Sequence, residues 1–245
     1  NLGVLDDVDY LFGVHPRPIQ EIPDGTASAA ICRGAAGLIK GTIIGEDSHA
    51  ARPHLGQNAI EVGAAIVHGL EGIRMDPLVP YSVKMTKLHA GSETGNIIPG
   101  KASFTLDARA QTNEAMRILR AKVNEVLRSV ESIYHVKIKY KMHEGLVAAI
   151  VNEEAYDLME RAIITVLGAD KLEPRITTPG GEDFHFYSLH KPNIKATMLG
   201  LGCGLSPGLH HPKMTFNQDS IHTGIEILTK TILNTIKLID EKKDE

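Results

Sequence analysis

The chain is 245 residues long, 42% hydrophobic and 23% charged, a composition that fits a folded globular protein with a buried core and excludes a disordered polymer. Its net charge is −4 and its lysines and arginines are dispersed, so no broad basic surface for nucleic acid or an anionic membrane is written into the residue order, and a small-molecule partner is expected. The only cysteines, Cys32 and Cys203, lie far apart outside any CxxC spacing, which excludes a disulfide framework and suits a reducing cytoplasm, and no apolar run reaches the ~18 residues that cross a bilayer.

The chain opens at Asn1, and that start reads as a processed or truncated product. Residues 8–14 (VDYLFGV) form a β-branched and aromatic run, predicting a buried strand that stops in a loop with His15 at its end. Residues 34–46 (GAAGLIKGTIIGE) read as a loop and then a strand, with a domain boundary here. Residues 58–70 set Ile60, Ala64, Ile66 and Val67 at helical spacing, and Pro77 and Pro80 close that helix off. Strands are predicted over 81–88 and 104–108. Between 113 and 129, Met116, Leu119, Val123, Val126 and Leu127 share one face of an amphipathic helix. Residues 136–142 (VKIKYKM) alternate strictly, predicting a strand with one face solvated by lysines.

This order, strand–helix–strand–strand–helix–strand, is that of a split βαβ unit, a ferredoxin-like βαββαβ domain over 38–148. Beyond Asn152 the pattern predicts a helix over 153–167, a loop containing Pro179-Gly180-Gly181, a strand over 196–201, a glycine-rich turn and a closing helix over 219–238. These pieces read as the end of an α/β sheet domain to which the start of the chain returns, giving 1–37 and 149–245 as one domain and 38–148 as an insert.

Histidines and acids gather in glycine- and proline-bounded segments: GVHPRP at 13–18, SHAARPHLG at 48–56, GNIIPG at 95–100, PGGEDFHFY at 179–187 and GLHHP at 208–212. Each alone reads as a polar loop. Within them, His54 reads as a turn residue, Asn96 as a loop-shaping one, and Asp183 either as the cap of a helix starting near Phe184 or as a residue that orients His210. Neutral imidazole is a good ligand for Zn²⁺ or Mn²⁺, and His15 and His210, from distant segments, fit that demand; His211 competes with His210.

Taken in order, the segments resemble the family of co-catalytic metallopeptidases and amidohydrolases that includes aminoacylase, hippurate hydrolase, carboxypeptidase G and the auxin-conjugate hydrolases. LDDVDYLFGVHPRP matches the segment that supplies a metal-binding histidine, here His15, and Leu209-His210-His211-Pro212 matches the one supplying His210. DSHAARPHLG places His49 at the histidine that steadies the reaction intermediate. Asn96-Ile97-Ile98-Pro99, Leu106-Asp107-Ala108-Arg109 and Gly181-Glu182-Asp183-Phe184 match three further segments, implying substrate contacts from Asn96 and Arg109 and a positioning role for Glu182 and Asp183.

The resemblance implies an α/β fold: part of a zinc-peptidase-like α/β catalytic domain with an inserted α+β lid and dimerisation domain. It implies two divalent ions (Zn²⁺, Mn²⁺ or Co²⁺), an N-acyl amino acid or related amide as substrate, and a homodimer formed through the lid. The family's general-base glutamate and remaining ligands lie upstream of the matched segments, so residues 1–245 are expected to be inactive alone, Glu153-Glu154 being no substitute for that pair. The competing reading is a non-catalytic dimerising module. His185, His211 and Gln57-Asn58 depart from the family pattern, which leaves substrate preference open.

Overall fold

The computed structural model describes residues 3–143, 145–178 and 180–244; Pro179 of the expected glycine-bounded loop lies outside them. In chain order the elements are β1 (Tyr10–Pro18), β2 (Ala27–Ser28), β3 (Ile31–Arg33), β4 (Ala35–Ile44), β5 (Ser48–His49), α1 (Ala59–Glu71), β6 (Tyr81–Ala90), β7 (Ile97–Ile98) and β8 (Lys101–Ala110). They continue with α2 (Asn113–Tyr134), β9 (Lys137–Met142), α3 (Glu153–Leu167), β10 (Leu172–Glu173), β11 (Ile176–Thr178), α4 (His185–His190), β12 (Lys195–Leu205) and α5 (Ser220–Lys243). The chain divides into two units: Asn1–Arg33 with Ala149–Thr178 and Glu182–Glu245, and Gly34–Ala148 with Pro179–Gly181. The α/β class with a ferredoxin-like insert is what the structure shows.

In the second unit β6, β8, β4 and β9 lie side by side, all antiparallel, the strand order of the ferredoxin-like fold. Strict alternation sends Ile39, Ile43, Phe104, Leu106 and Ile138 to one face, where α1 and α2 cover them, and leaves the other face mostly polar, with Leu38 exposed on it. Gly41 pairs with Phe104, whose ring lies across it; a Cβ there would come within 2.3 Å of the ring. Asn58 caps α1 by accepting from Ile60 N–H, and Thr112 caps α2 by accepting from Ala115 N–H.

The phase of α1 differs from expectation. It buries Ala59, Val62, Ile66 and Leu70, while Ile60 and Val67 stay 48% and 36% exposed. Small residues between the apolar ones made two faces equally apolar in sequence, and the choice fell to the sheet. Helix α2 runs five residues past the expected end at Ser129, burying Val130 on the same face, and is capped by His135 in a left-handed conformation.

In the first unit the sheet order is β1-β12-β2-β10: β1 runs parallel to β12, β12 antiparallel to β2, and β2 parallel to β10. Helices α3 and α5 pack together and bury Met159, Ile163 and Ile227 against Leu199. Each such burial stabilises by roughly 1.5–3 kcal/mol. The expected end of β1 at His15 is corrected: the strand continues through Pro16 to Pro18. Among the described residues β1 pairs on one side only, with β12, so both prolines are tolerated because the N–H they lack is not needed by a second neighbour.

Candidate active site

His15 lies within β1, opposite Gly200 of β12. Its Nδ1 is 2.7 Å from the carbonyl oxygen of Pro16, so Nδ1–H donates and the lone pair of Nε2 is left for another partner. Burial holds the imidazole below its usual pKa; the Pro16 carbonyl opposes this, and the Arg33 and Arg17 charges reinforce it. A neutral ring with Nδ1–H fixed on a carbonyl is the form in which histidine ligates a cation.

The carboxylate of Glu182 faces His15, with Oε2 3.8 Å from Nε2, and also stands 3.5 Å from the Arg33 guanidinium. Burial raises the pKa of Glu182, but hydrogen bonds from the Asp183 side chain and backbone, with the Arg33 and His15 charges, outweigh it and leave the carboxyl below its usual value. Asp183 moves the other way, raised by sharing a hydrogen bond with Glu182. Capping of α4 by the Asp183 side chain is not what the structure shows. That helix starts one residue later, at His185, and Asp183 contributes its backbone carbonyl to Phe186 N–H at 3.0 Å.

His210 sits in the loop that leaves β12, in a left-handed conformation with φ of 60°. A residue with a β-carbon adopts this at a cost that surrounding structure must hold. The loop is closed at its neck, where Ser206 and Thr215 exchange backbone hydrogen bonds of 3.0 and 2.9 Å. Because β1 and β12 are parallel, with Pro18 paired to Leu205 and Ile19 N–H donating to Leu205, this loop and the segment after β1 leave the sheet on the same side. The carboxyl ends of parallel strands are where α/β sheets present ligand sites. The neighbouring His211 accepts Lys213 N–H on Nδ1 at 3.1 Å, which puts its proton on Nε2.

The second unit brings two motifs together. Ser48-His49 pairs antiparallel with Ile97-Ile98, and Ala50 N–H donates to the Asn96 carbonyl at 3.0 Å, so SHAARPHLG and GNIIPG form one ribbon. Gly100 closes it. Its N–H donates to the Asp47 carboxylate at 2.6 Å, and a Cβ there would lie 2.4 Å from the Glu46 carbonyl carbon. His49 Nδ1 accepts Ala51 N–H at 3.0 Å, leaving Nε2–H as an exposed donor. Arg109, on β8, holds Asp107 of the same strand through Nε at 2.9 Å and a terminal nitrogen at 3.4 Å.

Sequence reasoning passed over three residues. Arg17 and Arg33 are 2% and 5% exposed, and His185 is fully buried. Arg17 carried one signal, since two residues from His15 on a strand means the same face. Glu153 and Glu154 are committed elsewhere, to Arg175 and to Lys195 with Lys242. Among the described residues no group of three or more His, Cys, Asp or Glu side chains is gathered to hold a metal ion. His15 therefore has the chemistry of a ligand, while a complete coordination shell is not assembled from described residues.

These residues stand on an α/β scaffold that carries a ferredoxin-like insert. Residues 32–135 match the family described as the peptidase dimerisation domain of the M20 group. The N-acetyldiaminopimelate deacetylases of Leuconostoc citreum and Lactiplantibacillus plantarum are 24% and 28% identical over 96% and 93% of this chain, each covered over 60% of its own length. Among solved structures, Bacillus subtilis YxeP, described as a dinuclear metal binding peptidase from the M20 family, superposes with a TM-score of 0.75 at 21% identity, covering 94% of this chain and 58% of that one. The aminobenzoyl-glutamate utilization protein of Klebsiella pneumoniae superposes with a TM-score of 0.74 at 19% identity, covering 95% and 56%. These matches agree with the resemblance to metallopeptidases and amidohydrolases first read from short motifs. The chain spans about 60% of the length of the curated relatives it matches. No helix among the described residues is long and apolar enough to cross a membrane.

Proposed function

We propose that these residues serve in a hydrolase that cleaves the amide bond of N-acyl amino acids or similar small conjugates with two divalent ions (Zn²⁺, Mn²⁺ or Co²⁺), as a cytoplasmic homodimer joined through the unit that holds 34–148. One observation carries the reading: His15 and His49 are held in opposite tautomers, one presenting a lone pair and the other a proton. A site that binds cations and stabilises a developing oxyanion needs one of each.

In this reading His15 and His210 hold the ions, and Glu182 steadies the His15 ring. Preference for His210 over His211 rests on the Lys213 N–H that occupies His211 Nδ1. When bound, the ions would lower the pKa of a water molecule and polarise the scissile carbonyl. His49 donates Nε2–H to the oxygen on which charge develops, and Asn96, fixed beside it on the same ribbon, is the second donor. Arg109 pairs with the substrate carboxylate in place of Asp107. The general base and the remaining ligands come from polypeptide outside residues 1–245, which alone are inactive.

The test compares residues 1–245 with the product of the full reading frame that encodes them. The full product should hydrolyse N-acetyl or N-benzoyl amino acids, lose that activity to chelator and regain it with Zn²⁺, Mn²⁺ or Co²⁺; turnover indifferent to chelator sinks the proposal. The second reading, a non-catalytic dimerising module, is favoured by the match of 32–135 to a dimerisation domain. It requires a dimer by light scattering and no hydrolysis from the full product.

A further inference from the structure

On the open face of the β6-β8-β4-β9 sheet, the end away from Arg109 takes no part in the proposed hydrolysis. Residues dispersed in sequence meet there once the strands pair. Lys40 on β4 stands directly opposite Lys141 on β9, and on its other side opposite Thr105, which is itself opposite Lys87 on β6. The next rank pairs Thr42 with Lys139 on one side and with Ser103 on the other, and Ser103 with His89. These lysines are exposed, and none has an acidic partner among the described residues. The carboxylate of this face that lies nearest along β8, Asp107, is held by Arg109.

Two features set this apart from an ordinary solvated sheet face. Like charges directly across an antiparallel pair destabilise it, and Lys40 opposite Lys141 is such a pair with no compensating acid, in a chain whose net charge is −4. A sequence that breaks a local rule without local compensation does so most often at a functional site. The same residues line a groove of about 590 Å³, with hydroxyls of Thr42, Ser103 and Thr105 between walls of lysine. That volume falls within the range of small-molecule sites, roughly 300–1,000 Å³.

We infer that this groove binds a compact anion carrying several charges on neighbouring phosphoryl groups. Density of charge decides between anions. Opposed ammonium stems on adjacent strands start about 5 Å apart, close enough for two or more of them to reach one di- or triphosphate together. Carboxylates on one side of an extended acidic peptide recur only about every 7 Å. The groove is lined by lysines and hydroxyls with the His89 imidazole as its exposed ring, so successive bases of a single-stranded nucleic acid find no row of rings to stack on. Leu38, 41% exposed two residues along β4 from Lys40, lies outside the groove lining, and the lysines and hydroxyls of that lining are a poor seat for a planar membrane.

Calorimetry on the whole chain at 150 mM salt, with inorganic tripolyphosphate as probe, tests this. Binding tighter than 100 μM is expected, lowered at least tenfold in Lys40→Gln/Lys141→Gln and unchanged in a Lys230→Gln/Lys237→Gln control on the other unit. Lys40, Lys141 and Lys237 are exposed and Lys230 is half-buried, and circular dichroism confirms that each variant folds. Binding weaker than a millimolar, or equal losses in both variants, overturns the inference and leaves a solvated lysine face. Oligothymidylate, hexaglutamate or phosphoinositide vesicles binding more tightly than tripolyphosphate, and not displaced by it, overturn it in favour of a polymer or a membrane.

Discussion

Nε2 of His15 stands 3.8 Å from Oε2 of Glu182 while Nδ1 of the same ring is tied to the Pro16 carbonyl. The Pro16 carbonyl thereby orients the ring before any cation arrives, while the Glu182 carboxylate places negative charge beside the Nε2 lone pair where a cation would sit, and removing such an outer partner typically weakens metal binding 10- to 100-fold. His15→Ala should lower Zn²⁺ affinity of the chain at least tenfold in competition titrations against a chromophoric chelator. Glu182→Gln should lower it by about tenfold. Unchanged affinity in His15→Ala would remove this residue from the ligand set.

Gly100→Ala tests the ribbon that carries His49. The new Cβ would fall 2.4 Å from the Glu46 carbonyl carbon and 2.7 Å from the Asp47 nitrogen, backbone atoms that move only if the ribbon does. A loss of about 2 kcal/mol or more is expected, the range for overpacking against rigid neighbours. Urea unfolding measures it, and the His49 imidazole resonances should shift in the folded variant. A variant as stable as the parent would mean that the ribbon yields freely.

Legibility from sequence followed the range of the interactions. The periodicity of β4 to β9, and the face of α2 with Met116, Leu119 and Val123, are local patterns and survived folding unchanged. The two-residue strands β2 and β10 have no periodicity to read; they exist because β12 and α3 lie beside them. Burial of Arg33 and His185 was invisible for the same reason, since both are enclosed by segments distant in sequence. Among the site residues, motif order singled out His15 and His49, but their tautomers depend on the backbone of Pro16 and Ala51. Of the basic sheet face only the lysines of β9 were legible, because strand register, not residue order, sets Lys40 opposite Lys141.

His185 gives the chain a sensitivity to mild acid. It is fully buried, accepts Ile150 N–H on Nδ1 at 3.2 Å, and its Nε2 has no partner among the described residues. Burial first, and the Arg33 charge second, push its pKa down to about 4. The unfolded chain takes up this proton near pH 6.5, so stability from the neutral ring is complete above that value and drains as pH falls toward 4. A full shift of this size corresponds to about 3 kcal/mol. His185→Leu removes the titration and should flatten the urea midpoint between pH 6.5 and 4.5, at a cost of about 1 kcal/mol for the lost Ile150 bond. Parallel slopes in parent and variant would assign the acid sensitivity to other groups.

Glu154 works in the opposite direction and lower on the pH scale. Its carboxylate accepts from Lys195 at 2.7 Å, from Lys242 at 2.8 Å and from the Tyr10 hydroxyl, tying the starts of β1, β12 and α3 to the end of α5. Those hydrogen bonds, led by Lys195, hold its pKa at about 2, against a weaker opposing effect of burial. The folded-state value lies below the unfolded one, so the contribution is complete above about pH 4.5 and is lost as pH falls through 2. Side chains a third exposed are screened by water, which leaves about 1 kcal/mol at neutral pH. Glu154→Gln should therefore lower the thermal midpoint by a few degrees at pH 7, and the gap from the parent should close steadily between pH 4.5 and 2. A gap that stays constant down to pH 2 would mean that Glu154 acts by shape alone, and that Lys195 at the start of β12 and Lys242 in the last turn of α5 are held by something other than its charge.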